Sequence, residues 1–116
     1  MVYVQGFVAA VPTANKQAYI DQALEAYKTF KKYGATRCVE CWGDDVPKGE
    51  KTDFHMAVQA KEDEAVVFSW VEFPDRATYD ECNRKMMEEF SPDDFAKMPF
   101  DGSRMIFGGF TPIVDQ

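Results

Sequence analysis

Apolar residues recur along this chain in two rhythms, and the order of those rhythms predicts an architecture. Residues 64–73 (EAVVFSWVEF) are rich in β-branched and aromatic side chains and end at Pro74-Asp75, which reads as a strand and its stop. Behind it Asp75 is placed to cap a helix, with Tyr79, Cys82, Met86 and Phe90 at helical spacing. Residues 2–11 (VYVQGFVAAV) form a first strand bounded by Pro12-Thr13, and Thr13 or Asn15 is expected to cap the helix that follows. From 16 to 33 the residues Tyr19, Ala23, Tyr27 and Phe30 share one stripe flanked by Ile20 and Leu24. Asp21, Gln22, Glu25, Lys28 and Lys32 take the opposite side, the basic residues gather in the last turns, and Gly34 suits the C′ position.

Residues 35–43 (ATRCVECWG) read as a second strand, followed by a polar loop over 44–51. Residues 54–60 (FHMAVQA) read as a further short strand, and 61–64 turn the chain into the central one. Ser91-Pro92-Asp93-Asp94 opens a short helical turn that Pro99 stops. Asp101-Gly102 then turns into a last strand over 103–114, where Gly108-Gly109 signals a bulge or a close backbone approach.

The order β-α-β-(β)-β-α-β is an α+β, ferredoxin-like split βαβ arrangement: an antiparallel sheet with two helices on one face, expected as a single domain over 1–116. Both faces of that sheet are apolar. Val2, Val4 and Val8 alternate with Tyr3, Phe7 and Val11; Val67, Val71 and Phe73 alternate with Val66, Phe68 and Trp70; Met105, Phe107 and Ile113 alternate with Ile106, Phe110 and Val114. Two helices cover one face, and an antiparallel sheet facing water on the other carries a polar row that is missing here. A second copy of the chain, sheet to sheet, is the economical cover, so a homodimer through the sheet face is expected.

Composition narrows the partners. The net charge of -7 repels a phosphate backbone, and the basic residues are scattered apart from Lys28, Lys31 and Lys32, so nucleic-acid binding is not expected. No apolar run spans a bilayer and the N-terminus lacks a basic leader, which argues against a membrane partner. Three cysteines, an odd count, fit reduced thiols in the cytoplasm better than a disulfide framework.

No stretch carries a catalytic signature, so single residues must be weighed. Cys38-Val39-Glu40-Cys41 has C-x-x-C spacing, but on a strand the two sulfurs point to opposite faces, and one histidine cannot complete a zinc site. His55 stands without a nucleophile placed beside it, and Asp44, Asp45 and Glu50 lack the spacing of a calcium loop, so neither metal nor cofactor is expected. Glu40 and Glu72 are better candidates for a general base. Each lies in or at the end of an apolar strand, Glu40 in phase with Cys38 and Trp42, Glu72 with Phe68 and Trp70, and a desolvated carboxyl has a raised pKa. The bland readings are a frayed strand end for Glu72 and a pairing of Glu40 with Arg37 or Arg104. Asp101 and Arg104 offer a carboxylate and a guanidinium at the start of the last strand, as a ligand contact or as a pair that fixes the turn. With Trp42 and Trp70 they form the candidate ligand-binding set, the tryptophans also serving as interface or core aromatics. Two functions follow: a small-molecule enzyme or binder with a cavity between sheet and helices, or a non-catalytic dimer acting through its surface as a stress-related or regulatory partner.

Four runs closely resemble one known family: Tyr3-Val4-Gln5-Gly6-Phe7, Glu40-Cys41-Trp42-Gly43-Asp44-Asp45-Val46-Pro47, Val66-Val67-Phe68-Ser69-Trp70, and the long run from Met98 to Phe110. They are similar to the YbaA-like family, a bacterial domain-of-unknown-function family (number 1428), across essentially the whole chain. The resemblance implies a dimeric α/β-barrel, in which two ferredoxin-like sheets face each other, and supplies no established activity. The wider superfamily includes cofactor-independent monooxygenases, isomerases and haem proteins, so the fold alone does not choose among chemistries. The chain departs from its relatives at His55 and Met56, where they often carry proline and a basic residue.

Overall fold

The structure is a computed structural model and describes residues 2–116. Its frame is a long antiparallel pair. Strand β1 (Tyr3–Pro12) lies against β3 (Glu64–Phe73), from Tyr3 opposite Phe73 to Pro12 opposite Glu64. Strand β2 (Arg37–Trp42) adds to the far side of β3, and β4 (Ile106–Phe110) to the far side of β1, giving the order β2-β3-β1-β4 with every pair antiparallel. Helix α1 (Lys16–Lys32) carries the chain from β1 to β2, and α3 (Arg76–Glu89) carries it from β3 towards β4. These are two interleaved βαβ units, the ferredoxin-like arrangement expected from the order of elements.

Because paired residues in a ladder share a face, the register sorts every side chain. The odd positions of β1 and β3 turn toward the helices, where Tyr3, Ala9, Val11, Val67, Val71 and Phe73 are buried. Tyr19 of α1 and Cys82 of α3 close over them. The even positions turn away: Val4, Val8, Val66, Phe68 and Trp70, joined by Val39 and Cys41 of β2 and by Ile106 and Phe110 of β4. Apart from Glu72 and its ladder partner Arg37, this second face is apolar, with Phe68 and Ile106 each 46% and Phe110 61% exposed.

Local chemistry explains the element ends. Asp75 caps α3 through the Thr78 N–H (2.7 Å), as its spacing predicts. Gly34 follows α1 with φ of 107°, a conformation that costs glycine little. The expected cap of α1 is corrected: neither Thr13 nor Asn15 caps it, and the Asn15 amide donates to the Pro99 carbonyl (2.8 Å), tying the helix start to the segment before β4. Residues 54–60 are also corrected. They hold a one-turn helix, α2 (Phe54–Ala57), because the Asp53 carboxylate accepts from the Met56 N–H (2.6 Å) and starts a turn where a strand was expected. That segment lays Val58 against Ala10 and Val66 at one end of the second sheet face.

Ser91 and Asp94 form a capping box at the head of α4 (Pro92–Ala96). The last strand is shorter than the expected 103–114. Asp101 accepts from the Ser103 N–H and from Arg104 Nε (3.0 Å each), which winds a 3-10 turn over Gly102–Arg104, and the ladder with β1 ends at Phe110. At Gly109 the backbone lies so close to Tyr3 and Tyr79 that a Cβ would collide with both rings, the close approach that the glycine pair signals. Among the described residues no helix is long and apolar enough to cross a membrane.

Candidate functional site

A cavity of about 650 Å³ lies between the helix-facing side of the sheet and the layer formed by α1, the end of α3, α4 and the run up to Met105. Side-chain size creates it. Its floor is built from Ala9, Cys38, Ser69 and Val71, and its α1 wall from Ala23 and Ala26, all short, while Phe30, Phe90, Phe95 and Phe100 stand around the rim. Its volume falls in the range of ordinary small-molecule sites.

One carboxylate sits in this apolar space. Glu40 lies on β2 directly opposite Ser69 of β3, and Tyr19, projecting from α1, donates its hydroxyl to Glu40 Oε1 at 2.5 Å. Burial pushes the Glu40 carboxyl above its ordinary range, and the hydrogen bonds from Tyr19 and Ser69 offset only part of that. Glu40 remains accessible at the cavity surface, so the cause is the crowding of apolar walls around the carboxyl, not complete enclosure. Burial and the neighbouring carboxylate push the Tyr19 phenol strongly upward, so it stays protonated as a donor. Tyr27 is occupied elsewhere: its hydroxyl accepts from the Cys38 N–H (2.7 Å) and donates to the Cys38 carbonyl on the sheet edge. Burial pushes the Cys38 thiol up to about 11, which keeps it from acting as a thiolate near neutral pH. Among the described residues no lysine, arginine or histidine lines the cavity.

The other candidates are placed elsewhere. Glu72 is on the opposite sheet face from Glu40, accepting from Trp70 Nε1 (3.0 Å) and lying 3.7 Å from Arg37. Arg104 stands in the 3-10 turn and not in a strand. Its expected pairing with Glu40 is corrected, since both of its terminal nitrogens bind Glu64 at 2.7 Å. Nε binds Asp101, and Nη1 also reaches the Gln59 carbonyl (2.8 Å). Trp42 packs beside the cluster of Ala9, Val11, Tyr19 and Val67 with Lys16 over its ring, and Trp70 lies edge-on to Phe68 on the outer face. Trp42, Trp70, Asp101, Arg104 and Glu72 therefore all lie outside the large cavity. Cys38 is buried and Cys41 exposed on opposite faces, and among the described residues no group of three metal-ligating side chains converges. His55 sits on α2 with its Nδ1 buried and without a partner.

Sequence reasoning missed Tyr19 and Ser69 as members of the site. The signal for Ser69 was present: it is the one polar side chain among the helix-facing positions of β3 between Val67 and Phe73. Tyr19 was visible only as part of an apolar stripe.

Residues 2–102 match the profile of a family described as Protein of unknown function (DUF1428). The chain belongs to the DUF1428 family. It is 53% identical, over the full length of both chains, to the uncharacterized protein YbaA of Escherichia coli K12, and to the same degree to YbaA of Shigella flexneri. Two solved structures share the fold. Both are dimeric ferredoxin-like proteins from an uncultured marine organism. One has a TM-score of 0.61 at 14% identity, covering 99% of this chain and 98% of its own; the other has a TM-score of 0.55 at 11%, covering 100% and 98%. At that identity they speak for the fold of DUF1428 alone.

Proposed function

We propose that this protein is a cytoplasmic homodimer in which each copy binds a small, largely apolar molecule between sheet and helices, with Glu40 as polar anchor and proton acceptor and without a cofactor. The observation that carries the reading is the Glu40–Tyr19 pair, a carboxylate with a raised pKa held at 2.5 Å by a phenol inside an otherwise apolar cavity. Tyr19 occupies Oε1 and fixes the carboxyl at the cavity surface. A carboxyl poised above its ordinary range is a better base than one in water. Arg104 and Asp101 serve the turn before β4, since their charged groups are already paired with each other and with Glu64.

The homodimer rests on the uncovered apolar face around Phe68, Ile106 and Phe110, whose burial against a second copy suits an interface of about 2,000 Å². Three free cysteines support a reducing compartment. The charge of -7 speaks against a nucleic-acid partner.

The test is a titration with the neutral fluorophore N-phenyl-1-naphthylamine. Wild-type protein is expected to give saturable, blue-shifted emission. Ala26→Trp, which fills the cavity from a helix position, is expected to abolish it while keeping the circular dichroism spectrum. Equal binding by both proteins would remove the cavity from consideration.

A further inference from the structure

Resting on the assignment of the cavity as the ligand site, we infer that its ligand is a hydrophobic organic cation, a protonated aromatic amine or an onium group, whose charge lies against Glu40 and whose apolar body lies against the aromatic rim. Four observations converge on this class.

The first is the charge around the cavity. Glu40 is the one carboxylate among the lining residues, and among the described residues no cationic side chain lines the space to balance it. Three basic groups of the surrounding elements have other engagements: Lys31 lies over the Tyr27 ring at 5.3 Å, Lys16 over Trp42 at 5.2 Å, and Arg104 is bound by Glu64 and Asp101. An anionic ligand would meet a like charge and no counter-charge.

The second is the supply of hydrogen bonds. Tyr19 spends its hydroxyl proton on Glu40, and Tyr27 spends its own on the Cys38 carbonyl. Of the polar groups left, Gln22 can both donate and accept, while the Glu40 carboxylate, the strongest of them, is an acceptor. The site therefore selects ligands that donate or that carry positive charge.

The third is the cost of filling. An apolar body entering the cavity strips water from Glu40, and a desolvated carboxylate without a counter-ion is costly. A neutral ligand leaves that cost uncompensated or forces the carboxyl to take a proton. A cation supplies the missing charge where it is needed.

The fourth is the wall. Tyr19, Tyr27, Phe30, Phe90, Phe95 and Phe100 surround the space, and aromatic faces attract cations. Met86, Met87, Met98 and Met105 fill between them with polarizable side chains that adapt to more than one shape. The net charge of -7 adds a general attraction for cations.

The experiment uses two ions of one shape and opposite charge, tetraphenylphosphonium and tetraphenylborate, titrated calorimetrically into the full-length chain. The phosphonium is expected to bind saturably, one per chain, at least tenfold more tightly than the borate. In Glu40→Gln its affinity is expected to fall at least tenfold, with the circular dichroism spectrum unchanged. Equal or tighter binding of the borate, or undiminished phosphonium binding by Glu40→Gln, would overturn the inference. The wild-type comparison of the two ions stands even if the variant misfolds. Failure here is distinguishable from failure of the cavity itself. If Ala26→Trp abolishes fluorophore binding while the two ions bind alike, only the charge assignment falls; if Ala26→Trp leaves fluorophore and phosphonium binding unchanged, both fall.

Discussion

Arg104 commits all of its polar nitrogens to one corner of the molecule, and that makes it the residue whose loss is most legible. Its side chain is 13% exposed and that of its partner Glu64 4%, so truncating the guanidinium leaves a shielded carboxylate without its counter-ion. Arg104→Met is expected to cost about 2 kcal/mol, below the figure for a fully interior pair because this one lies near the surface. For a chain of this size that lowers Tm by roughly 10 °C, with fluorophore binding retained. The pair also sets an acid limb. Arg104 holds the Glu64 carboxyl down to about 2 from an ordinary 4.5. Its stabilisation is therefore complete above pH 4.5 and fades as pH falls toward 2. Thermal melts between those values should show a steeper acid loss in wild type than in Arg104→Met; parallel curves would remove Glu64 from the acid limb. Glu40 has the opposite sign. Its folded-state pKa is raised, so without a ligand its ionisation on raising pH weakens the fold. Glu40→Gln should melt no lower than wild type at neutral pH, and a clear fall in Tm would make Glu40 a structural group.

The elements show where pattern suffices and where chemistry at distant positions decides. β1, β3, α1 and α3 are legible because each repeats its period over many residues, and Asp75 and Gly34 mark ends with known capping roles. Gly34→Ala tests one such end. With φ at 107° and the Thr78 methyl beside it, an alanine there is expected to destabilise by about 1–2 kcal/mol, measured by urea unfolding. Residues 54–60 misled because Phe54, Met56 and Val58 alternate like a strand, whereas the Asp53 carboxylate three residues before Met56 settles the turn. Residues 111–114 misled because apolar content continues past the point where β1 has partners to offer; Ile113 and Val114 are exposed beyond the ladder. The candidate site was partly legible. Glu40 stood out as a carboxylate in an apolar strand, but its bond to Tyr19 joins residues 21 apart, and Arg104 meets Glu64 across 40. No local pattern encodes such pairs; the fold brings them together.

At the scale of the whole molecule, the proposed function gives the two sheet faces separate tasks, one holding the cavity under the helices and the other meeting a second copy. Light scattering at micromolar concentration should give twice the 13.2 kDa chain mass. Phe110→Lys, at a ring 61% exposed that lies over Gly6 on the outer face, should shift that mass toward the monomer without loss of secondary structure. A wild-type monomer would leave the apolar face unexplained by self-association. The most direct measurement is a crystal structure of the full-length chain grown with N-phenyl-1-naphthylamine. Density for the fluorophore between sheet and α1, bounded by Ala26 and Phe100 and reaching Glu40, is the expected result. A cavity closed by its own phenylalanine and methionine side chains, with the fluorophore absent or bound on the outer face, would contradict the assignment.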